Sequence, residues 1–365
     1  MEFSEQDHRF MARALQLAAR GAGSTDPNPQ VGCVLVRDGS VVGEGWHEQA
    51  GGPHAEIVAL RHAGAAARGA IAYVTLEPCC HHGRTPPCSD ALIAAGIDTV
   101  IAAMTDPNPL MAGKGLAQLQ AAGLAVASGL GASSAEQLNP GYIRRMRSQR
   151  PWVRCKMAMS LDGGTASSSG ESKWISSADA RQDVQRLRAR SSAIMTGIGT
   201  VLADDPAMNV RLGEAGGQRQ PLRVIVDSQL RIPPGARILQ LPGEVLIATA
   251  SADQRRIRAL QRPGVQVCRL PGEGGRVDLE GLLDCLAVQQ INELLLEAGA
   301  ILSGAMISAG LVDELIIYMA PRLLGDQARG LLVLPELTRL AQAVALTVHD
   351  IRAVGDDWRI TARVG

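Results

Sequence analysis

Apolar residues recur along this chain with two spacings, one near 3.6 and one of 2, and stretches of the two kinds alternate. Over residues 5–20, Phe10, Met11, Ala14, Leu17 and Ala18 fall at helical spacing, and Gly21 can stop the helix. The turn cluster Asp26-Pro27-Asn28-Pro29 leads into the β-rich run 31–36. Asp38-Gly39 and a second run, 41–46, complete a hairpin signal. Residues 54–68 read as a helix, 71–76 as a strand, 88–95 as a helix closed by Gly96, 99–104 as a strand, 113–121 as a helix and 124–128 as a short strand. A helical connector over 133–149 follows. It ends in Arg144, Arg145, Arg147 and Arg150, which read as a solvated face.

Pro151 opens a second half with the same alternation. Strands are expected at 152–159, 193–196, 222–226, 245–249, 265–269, 293–297 and 314–319, with helices at 178–190 and near 253–260, 279–290 and 300–309. A polar Gly/Ser loop covers 162–172, and 200–206 reads as a polar loop after a buried strand. Period-2 stretches near 344–351 and 358–363 close the chain. The pattern predicts two α/β domains, residues 1–146 and 150–365, the second with a largely parallel sheet and an antiparallel C-terminal edge.

Composition narrows the function classes. The 365 residues carry 36 Lys+Arg against 36 Asp+Glu. Residues 1–145 hold 10 Lys+Arg against 13 Asp+Glu, so neither half has the basic excess of a nucleic-acid binder. Aromatics make up only 2% of the chain, which leaves no stacking stripe for single strands. The N-terminal residues carry no apolar signal region, and no run approaches the ~18 apolar residues of a membrane span. Seven cysteines, three of them clustered, favour thiols and metal over a disulfide framework. A cytoplasmic protein with no membrane or nucleic-acid partner is expected.

The candidate chemistry lies in His54-Ala55-Glu56 and in Glu77-Pro78-Cys79-Cys80-His81-His82-Gly83-Arg84-Thr85-Pro86-Pro87-Cys88. Histidine and thiolate are zinc ligands, and a carboxylate two residues past the histidine can move protons without binding the metal. Zinc lowers the pKa of the water it holds to ~7, and a leaving amine must be protonated. These are the parts of a hydrolytic deaminase: ligands His54, Cys79 and Cys88, with Glu56 as proton shuttle. Eight residues separate Cys79 from Cys88, where nucleobase deaminases have two. The competing reading is a structural zinc site, closed by His81 or His82 or with Cys80 in place of Cys79. In the second half, Glu297-Ala298-Gly299-Ala300 ends a strand and starts a helix, where small residues let backbone N–H groups approach a phosphate. The same stretch reads as well as ordinary helix packing, and Arg188 and Arg211 read as phosphate cations or as surface salt bridges.

Asn28-Pro29-Gln30-Val31-Gly32-Cys33-Val34, His54-Ala55-Glu56, Thr75-Leu76-Glu77-Pro78-Cys79 and the spacer His81-His82-Gly83-Arg84-Thr85-Pro86-Pro87 before Cys88 together resemble the bifunctional riboflavin-biosynthesis deaminase/reductases. The resemblance continues through Asp106-Pro107-Asn108-Pro109, Gly113-Lys114-Gly115, Ser160-Leu161-Asp162-Gly163, residues 170–176, residues 200–206, Asp227-Ser228, Glu297-Ala298-Gly299 and residues 311–315. It implies a cytidine-deaminase-like zinc domain followed by a dihydrofolate-reductase-like domain, and a homo-oligomer. The substrate it implies is a phosphorylated pyrimidine, 2,5-diamino-6-(5-phosphoribosylamino)pyrimidin-4(3H)-one, deaminated with Zn2+. NADPH then reduces the ribosyl group of 5-amino-6-(5-phosphoribosylamino)uracil to ribityl. The resemblance assigns Asn28 to the base. It assigns Ala158, Trp174, Thr200, Asp204, Ser228, Gly299, Ala300, Ile301, Leu302, Ser303, Gly304 and Ala305 to NADPH. It assigns Ser172, Arg188, Met208, Arg211 and Glu297 to the substrate of the reduction. Cys80 and Ala298 stand where the family commonly has Ser and Gly. Two rival readings are a nucleic-acid base deaminase with a C-terminal binding domain, and a non-enzymatic zinc-stapled scaffold.

Overall fold

The computed structural model describes residues 2–81, 86–212 and 219–365. They form two compact units, Met1–Gln149 and Arg150–Gly365. The division follows a helix end: Gln149 caps the last helix of the first unit in the left-handed conformation, with φ 55°.

The first unit runs α1 (Glu5–Ala18), β1 (Gly32–Arg37), β2 (Ser40–Trp46), α2 (Ala55–Ala63), β3 (Ile71–Val74), α3 (Cys88–Ala94), β4 (Thr99–Ala102), α4 (Lys114–Ala121), β5 (Ala125–Ser128), α5 (Ala132–Leu138) and α6 (Pro140–Ser148). Its five strands lie in the order β2-β1-β3-β4-β5. β1 is antiparallel to both neighbours, whereas β3, β4 and β5 are parallel. Helices cover both faces, which is why β1 reads as an unbroken apolar run. Val34 and Val36 pack with Met11 and Leu17 of α1 on one face. Cys33 and Leu35 pack with Ala55 and Ala59 of α2 on the other. The expected single connector over 133–149 is instead two helices, α5 and α6. Pro140 cannot continue a hydrogen-bonded helix, and the Asn139 side chain is taken by the backbone of Gln30.

β2 is the strand on which α2 rests, and two glycines set the separation. A Cβ on Gly45 would stand 2.5 Å from the Ala55 carbonyl oxygen and 2.6 Å from the Ala59 nitrogen. A Cβ on Gly43 would strike the carbonyl oxygen of Ala59. The helix backbone therefore lies directly on the strand, and His54 and Glu56 at its start are placed by that contact.

The second unit runs β6 (Trp152–Ser160), β7 (Gly164–Ala166), α7 (Ala178–Arg190), β8 (Ala193–Gly197), α8 (Ile198–Asp204), β9 (Leu222–Val226), α9 (Arg237–Gln240), β10 (Val245–Thr249), α10 (Gln254–Leu260), β11 (Val265–Arg269), α11 (Leu279–Val288), β12 (Glu293–Leu296), α12 (Ala300–Ser308), β13 (Glu314–Ala320), β14 (Arg329–Gly330), β15 (Leu346–Val354) and β16 (Asp357–Val364). Nine strands form one sheet, β11-β10-β9-β8-β12-β6-β13-β16-β15. All neighbours from β11 to β13 are parallel, and β16 and β15 are antiparallel, as the patterning predicts. Two apolar layers sandwich the sheet. One holds Leu282 and Leu286 of α11 with Met306 of α12, and the other holds Val184 and Leu187 of α7.

Two expectations need correction. Residues 200–204 belong to helix α8, not to a loop: Gly197 caps it, and Asp205 ends it in the left-handed conformation before Pro206. The supposed Gly/Ser loop contains β7, which pairs with β14 from more than 160 residues away. A partner so remote leaves no local sequence signal.

Replacing Gly45 with Val should drive a branched side chain into α2. Unfolding of the first unit should become easier by ~1–3 kcal/mol, the usual cost of overpacking, as read by a lower melting temperature.

Candidate active sites

In the first unit, three side chains converge from three places in the sequence. His54 is the residue before α2, with extended backbone, and Cys88 opens α3 behind Pro87. Cys79 comes from the loop after β3. His54 Nδ1 lies 3.2 Å from Cys88 Sγ and 3.5 Å from Cys79 Sγ, and all three ligand atoms lie within 4.8 Å of one another. A tetrahedral zinc with arms of ~2.0–2.3 Å sets its ligands roughly 3.3–3.8 Å apart, so this donor set fits zinc. Among the described residues it is the one such cluster, and neither Cys80 nor His81 belongs to it. His82, with Gly83, Arg84 and Thr85, lies outside the described residues.

Glu56 sits in the first turn of α2 and is 3% exposed. Burial, with the charge on Cys79, pushes its carboxyl up to about 7. Cys79 goes the other way. A hydrogen bond from Cys88, opposed by burial and helped by His54, draws its thiol down to about 4, and the Cys88 backbone N–H also donates to its sulfur at 3.3 Å. The Cys88 thiol is correspondingly raised.

Two further residues shape this site without a role assigned from the motifs. Glu77 is buried, and its carboxylate accepts backbone N–H groups from Asp106 (3.0 Å), Gly113 (2.9 Å), Gly115 (2.8 Å) and Leu116 (3.3 Å). It ties the Pro78-Cys79 loop to the start of α4, where any side chain on Gly115 would meet the Pro78 carbonyl. Its position before Pro-Cys was visible, but four donors from 29 to 39 residues away were not. His47 is the second. It is 3% exposed, and its ring stands edge-on to His54 at 5.5 Å. Its Nδ1 faces the Pro53 carbonyl at 3.0 Å, so that nitrogen carries the proton. Burial pulls its pKa below the ordinary value, so the ring is neutral and Nε2 accepts from Asn28 Nδ2 at 3.1 Å. The Asn28 amide is thereby oriented, with Oδ1 left as acceptor.

In the second unit, Ala158, Ser172, Trp174, Arg188, Thr200, Asp204, Met208, Arg211, Glu297, Gly299 and Ala300 all border one cavity of about 750 Å³. They come from β6, the segment before α7, α7 itself, α8 and the segment after it, and the stretch from the end of β12 into α12, because the parallel strands end on the same edge of the sheet. Ser228 lies apart from this cavity, in the loop after β9. Ile301 is 75% exposed and does not border it. Leu302 packs on the core. Ser303 is buried, Gly304 is pressed against the Val333 carbonyl, and Ala305 does not border the cavity. The start of α12 faces the cleft, and its next turn is packing.

Arg188 is not a surface cation. It is 9% exposed and grips Glu297 with both arms, Nε to Oε1 at 2.6 Å and Nη2 to Oε2 at 3.0 Å. A third N–H reaches the Asn209 carbonyl at 3.1 Å. Burial alone would raise the Glu297 carboxyl, but the Arg188 pairing outweighs it and holds the group below its ordinary value. Arg211 also borders the cavity, together with Arg237 and Lys156, which no motif singled out. Burial pulls the Lys156 ammonium below its ordinary value. Trp174 is 62% exposed and carries the Arg181 guanidinium over its ring at 4.5 Å.

The two units match two family models in the same order. Residues 4–104 match the cytidine and deoxycytidylate deaminase zinc-binding region, and residues 151–360 match the RibD C-terminal domain. The riboflavin biosynthesis protein RibD of Escherichia coli K12 is 54% identical over 362 residues, covering 96% of this chain and 98% of its own. The chain belongs to the RibD family. The Haemophilus influenzae RibD is 51% identical over 99% of this chain and 98% of its own length. Among solved structures, Acinetobacter baumannii RibD superposes with a TM-score of 0.91 at 45% identity, covering 99% of both chains. The Thermotoga maritima diaminohydroxyphosphoribosylaminopyrimidine deaminase/5-amino-6-(5-phosphoribosylamino)uracil reductase gives 0.87 at 32% identity, again over 99% of both. As a RibD family member, the chain is an enzyme of riboflavin biosynthesis with two activities, a zinc-dependent deaminase and an NADPH-dependent reductase. The rival readings, a nucleic-acid base deaminase and a zinc-stapled scaffold, are not favoured by these relationships.

Glu297→Ala would leave Arg188 buried without its partner, and should cost the second unit ~3–5 kcal/mol in urea unfolding. Because pairing depresses the Glu297 pKa, its contribution is complete above the unfolded value near 4.5 and is lost as pH falls through the lower folded value. The variant should therefore lose stability less steeply than the parent below that pH.

Proposed function

We propose that the first unit deaminates 2,5-diamino-6-(5-phosphoribosylamino)pyrimidin-4(3H)-one, and that the second reduces the ribosyl group of 5-amino-6-(5-phosphoribosylamino)uracil to ribityl. The observation that carries this reading is the triangle of His54, Cys79 and Cys88 with buried Glu56 beside it. The substrates are those named for the Thermotoga relative.

In this reading His54, Cys79 and Cys88 hold zinc, which supplies a Lewis acid and an activated water. Glu56 takes the proton released as water adds to the ring and passes it to the ring nitrogen, then carries the proton of the added hydroxyl to the departing amine, so that ammonia leaves and oxygen takes its place. A carboxyl with a pKa of about 7 is matched to both halves of that task. Asn28, oriented by His47, presents an acceptor to the N–H edge of the base. In the second unit, NADPH supplies the reducing equivalents at the cleft. Glu297, fixed by Arg188, faces the sugar. Arg211 and Arg237 supply cations for the 5′-phosphate, since Arg188 is committed to Glu297. Ala158, Trp174, Thr200, Asp204, Ser228, Gly299 and Ala300 hold the cofactor, Ile301, Leu302, Ser303, Gly304 and Ala305 support that helix start, and Ser172 and Met208 border the substrate.

The reading includes a cytoplasmic homo-oligomer without a nucleic-acid partner. Seven free cysteines and a net charge of zero accord with it, and no helix among the described residues is long and apolar enough to cross a membrane. The edge strand β15 and its neighbour expose Leu346 (46%), Val348 (52%), Ile351 (58%) and Trp358 (47%), an apolar sheet edge suited to a second copy.

Glu56→Gln should keep zinc bound and lower ammonia release by ~10²–10⁴-fold, while reduction of the deaminated substrate continues. Cys88→Ser should instead lower zinc content by metal analysis. Normal deamination by the Glu56 variant would remove Glu56 from the mechanism. Ile351→Glu should shift the molar mass in light scattering towards the monomer.

A further inference from the structure

Lys156 of β6 borders the reductase cleft, and among the described residues its ammonium has no hydrogen-bond or ion-pair partner. Burial disfavours its charge, Glu297 favours it through space, and Arg188 opposes it. What the ammonium does meet is an aromatic face: Nζ stands 5.8 Å from the centroid of the Tyr318 ring. That is inside the ~6 Å over which a ring quadrupole attracts a cation, and the attraction grows as water is excluded. Lysine has a flexible stem, so an ammonium held by nothing would sample many positions along the cleft wall.

The Tyr318 ring is itself fixed. Tyr318 lies on β13, beside β6 in parallel register, with Ala158 directly opposite and Lys156 earlier on the same face. It is fully buried and packs in one apolar layer with Val184 and Leu187 of α7. Its hydroxyl donates to Asp183 Oδ2 of α7 at 2.6 Å. Arg359 of β16, opposite Tyr318 in the antiparallel register, donates to the same oxygen at 3.0 Å. Burial, with the bond to Asp183, pushes the phenol above its ordinary value, so it stays protonated and keeps donating. A leucine here would fill the layer without a polar atom to satisfy; tyrosine needs the Asp183 partner, and what it adds is a negative ring face.

From this arrangement we infer that Tyr318 is a positioning residue of the reductase: its ring face holds the Lys156 ammonium at the cleft wall, and Asp183 with Arg359 holds the ring. A ring face takes up none of the ammonium's N–H donors, so all of them stay available to acceptors on a ligand in the cleft. Tyr318 acts only through Lys156. The inference rests on the substrate reading of this cleft and adds a residue outside its lining on which that reading depends.

The test is a double-mutant cycle in the full-length protein, read as kcat/KM for reduction of 5-amino-6-(5-phosphoribosylamino)uracil and as calorimetric affinity for that compound without cofactor. Tyr318→Leu should lower both by about tenfold, the scale of a desolvated cation–ring contact. Tyr318→Phe keeps the ring face and should stay within about threefold of the parent. In a Lys156→Met background the Leu substitution should cost less than about twofold, because no ammonium is left for the ring to hold. Trifluorophenylalanine at position 318 keeps the shape of Phe but drains its face of negative charge, so it decides the matter even where the Leu variant does not fold. It should bind about as weakly as the Leu variant is expected to. Equal losses from Tyr318→Leu with and without Lys156, or a trifluorinated ring that works as well as Phe, overturn the inference and leave the substrate reading intact. A parent that binds NADPH but neither binds nor reduces this compound overturns the substrate reading itself.

Discussion

Everything at the deaminase site depends on how closely α2 lies on the sheet. His54 and Glu56 occupy the start of that helix, and the helix is held against β2 with no side chain between the two backbones at Gly43 and Gly45. A wider separation would carry His54 away from Cys79 and Cys88, whose own positions come from a different loop and a different helix. The contact works because both partners are small: glycines on the strand, Ala55, Ala59 and Ala63 on the helix. Glu77 performs the matching task on the other side of the site. By collecting four backbone N–H groups it stops the Cys79 loop from moving independently of the start of α4.

The same buried site alters its acid–base chemistry. Glu56 is pushed up by burial beside a thiolate, while Cys79 is drawn down by donors that include Cys88 and His54. Two acidic groups a few residues from one another in space thus move in opposite directions. The carboxyl becomes suited to carrying a proton and the thiol to carrying a charge.

The reductase unit follows a different logic. Its parallel strands bring their C-terminal ends to one edge, so short segments far apart in the chain can share one cavity. The buried Arg188–Glu297 pair locks α7 to the segment after β12. Such a pair is weak evidence for stability in itself, because burying both charges has a large desolvation cost. What it supplies is a carboxylate of fixed orientation and charge at the cleft. It also commits the Arg188 guanidinium to Glu297, whereas Arg211 and Arg237 border the same cavity outside that pair.

Much of this was legible in the sequence where the information is local. The candidate metal ligands that the structure brings together stand out in the sequence because metal ligation depends on residue type and on spacing within short segments, as in His54-Ala55-Glu56 and Pro78-Cys79. The strands and helices were readable because burial on one or both faces imposes a period on neighbouring residues. The helix α8 was not, because a glycine cap and an Asp-Pro stop around seven residues look much like a loop. The pairing of β7 with β14, the Arg188–Glu297 clamp across 109 residues and the hydrogen bond that orients Asn28 through His47 were decided only by the tertiary structure. Each joins residues whose own sequence surroundings do not name the partner. Chemistry carried by residue type and short spacing was therefore determined by the sequence alone. Which charges are paired and which remain free was decided by folding, since that depends on the distances created when remote segments meet.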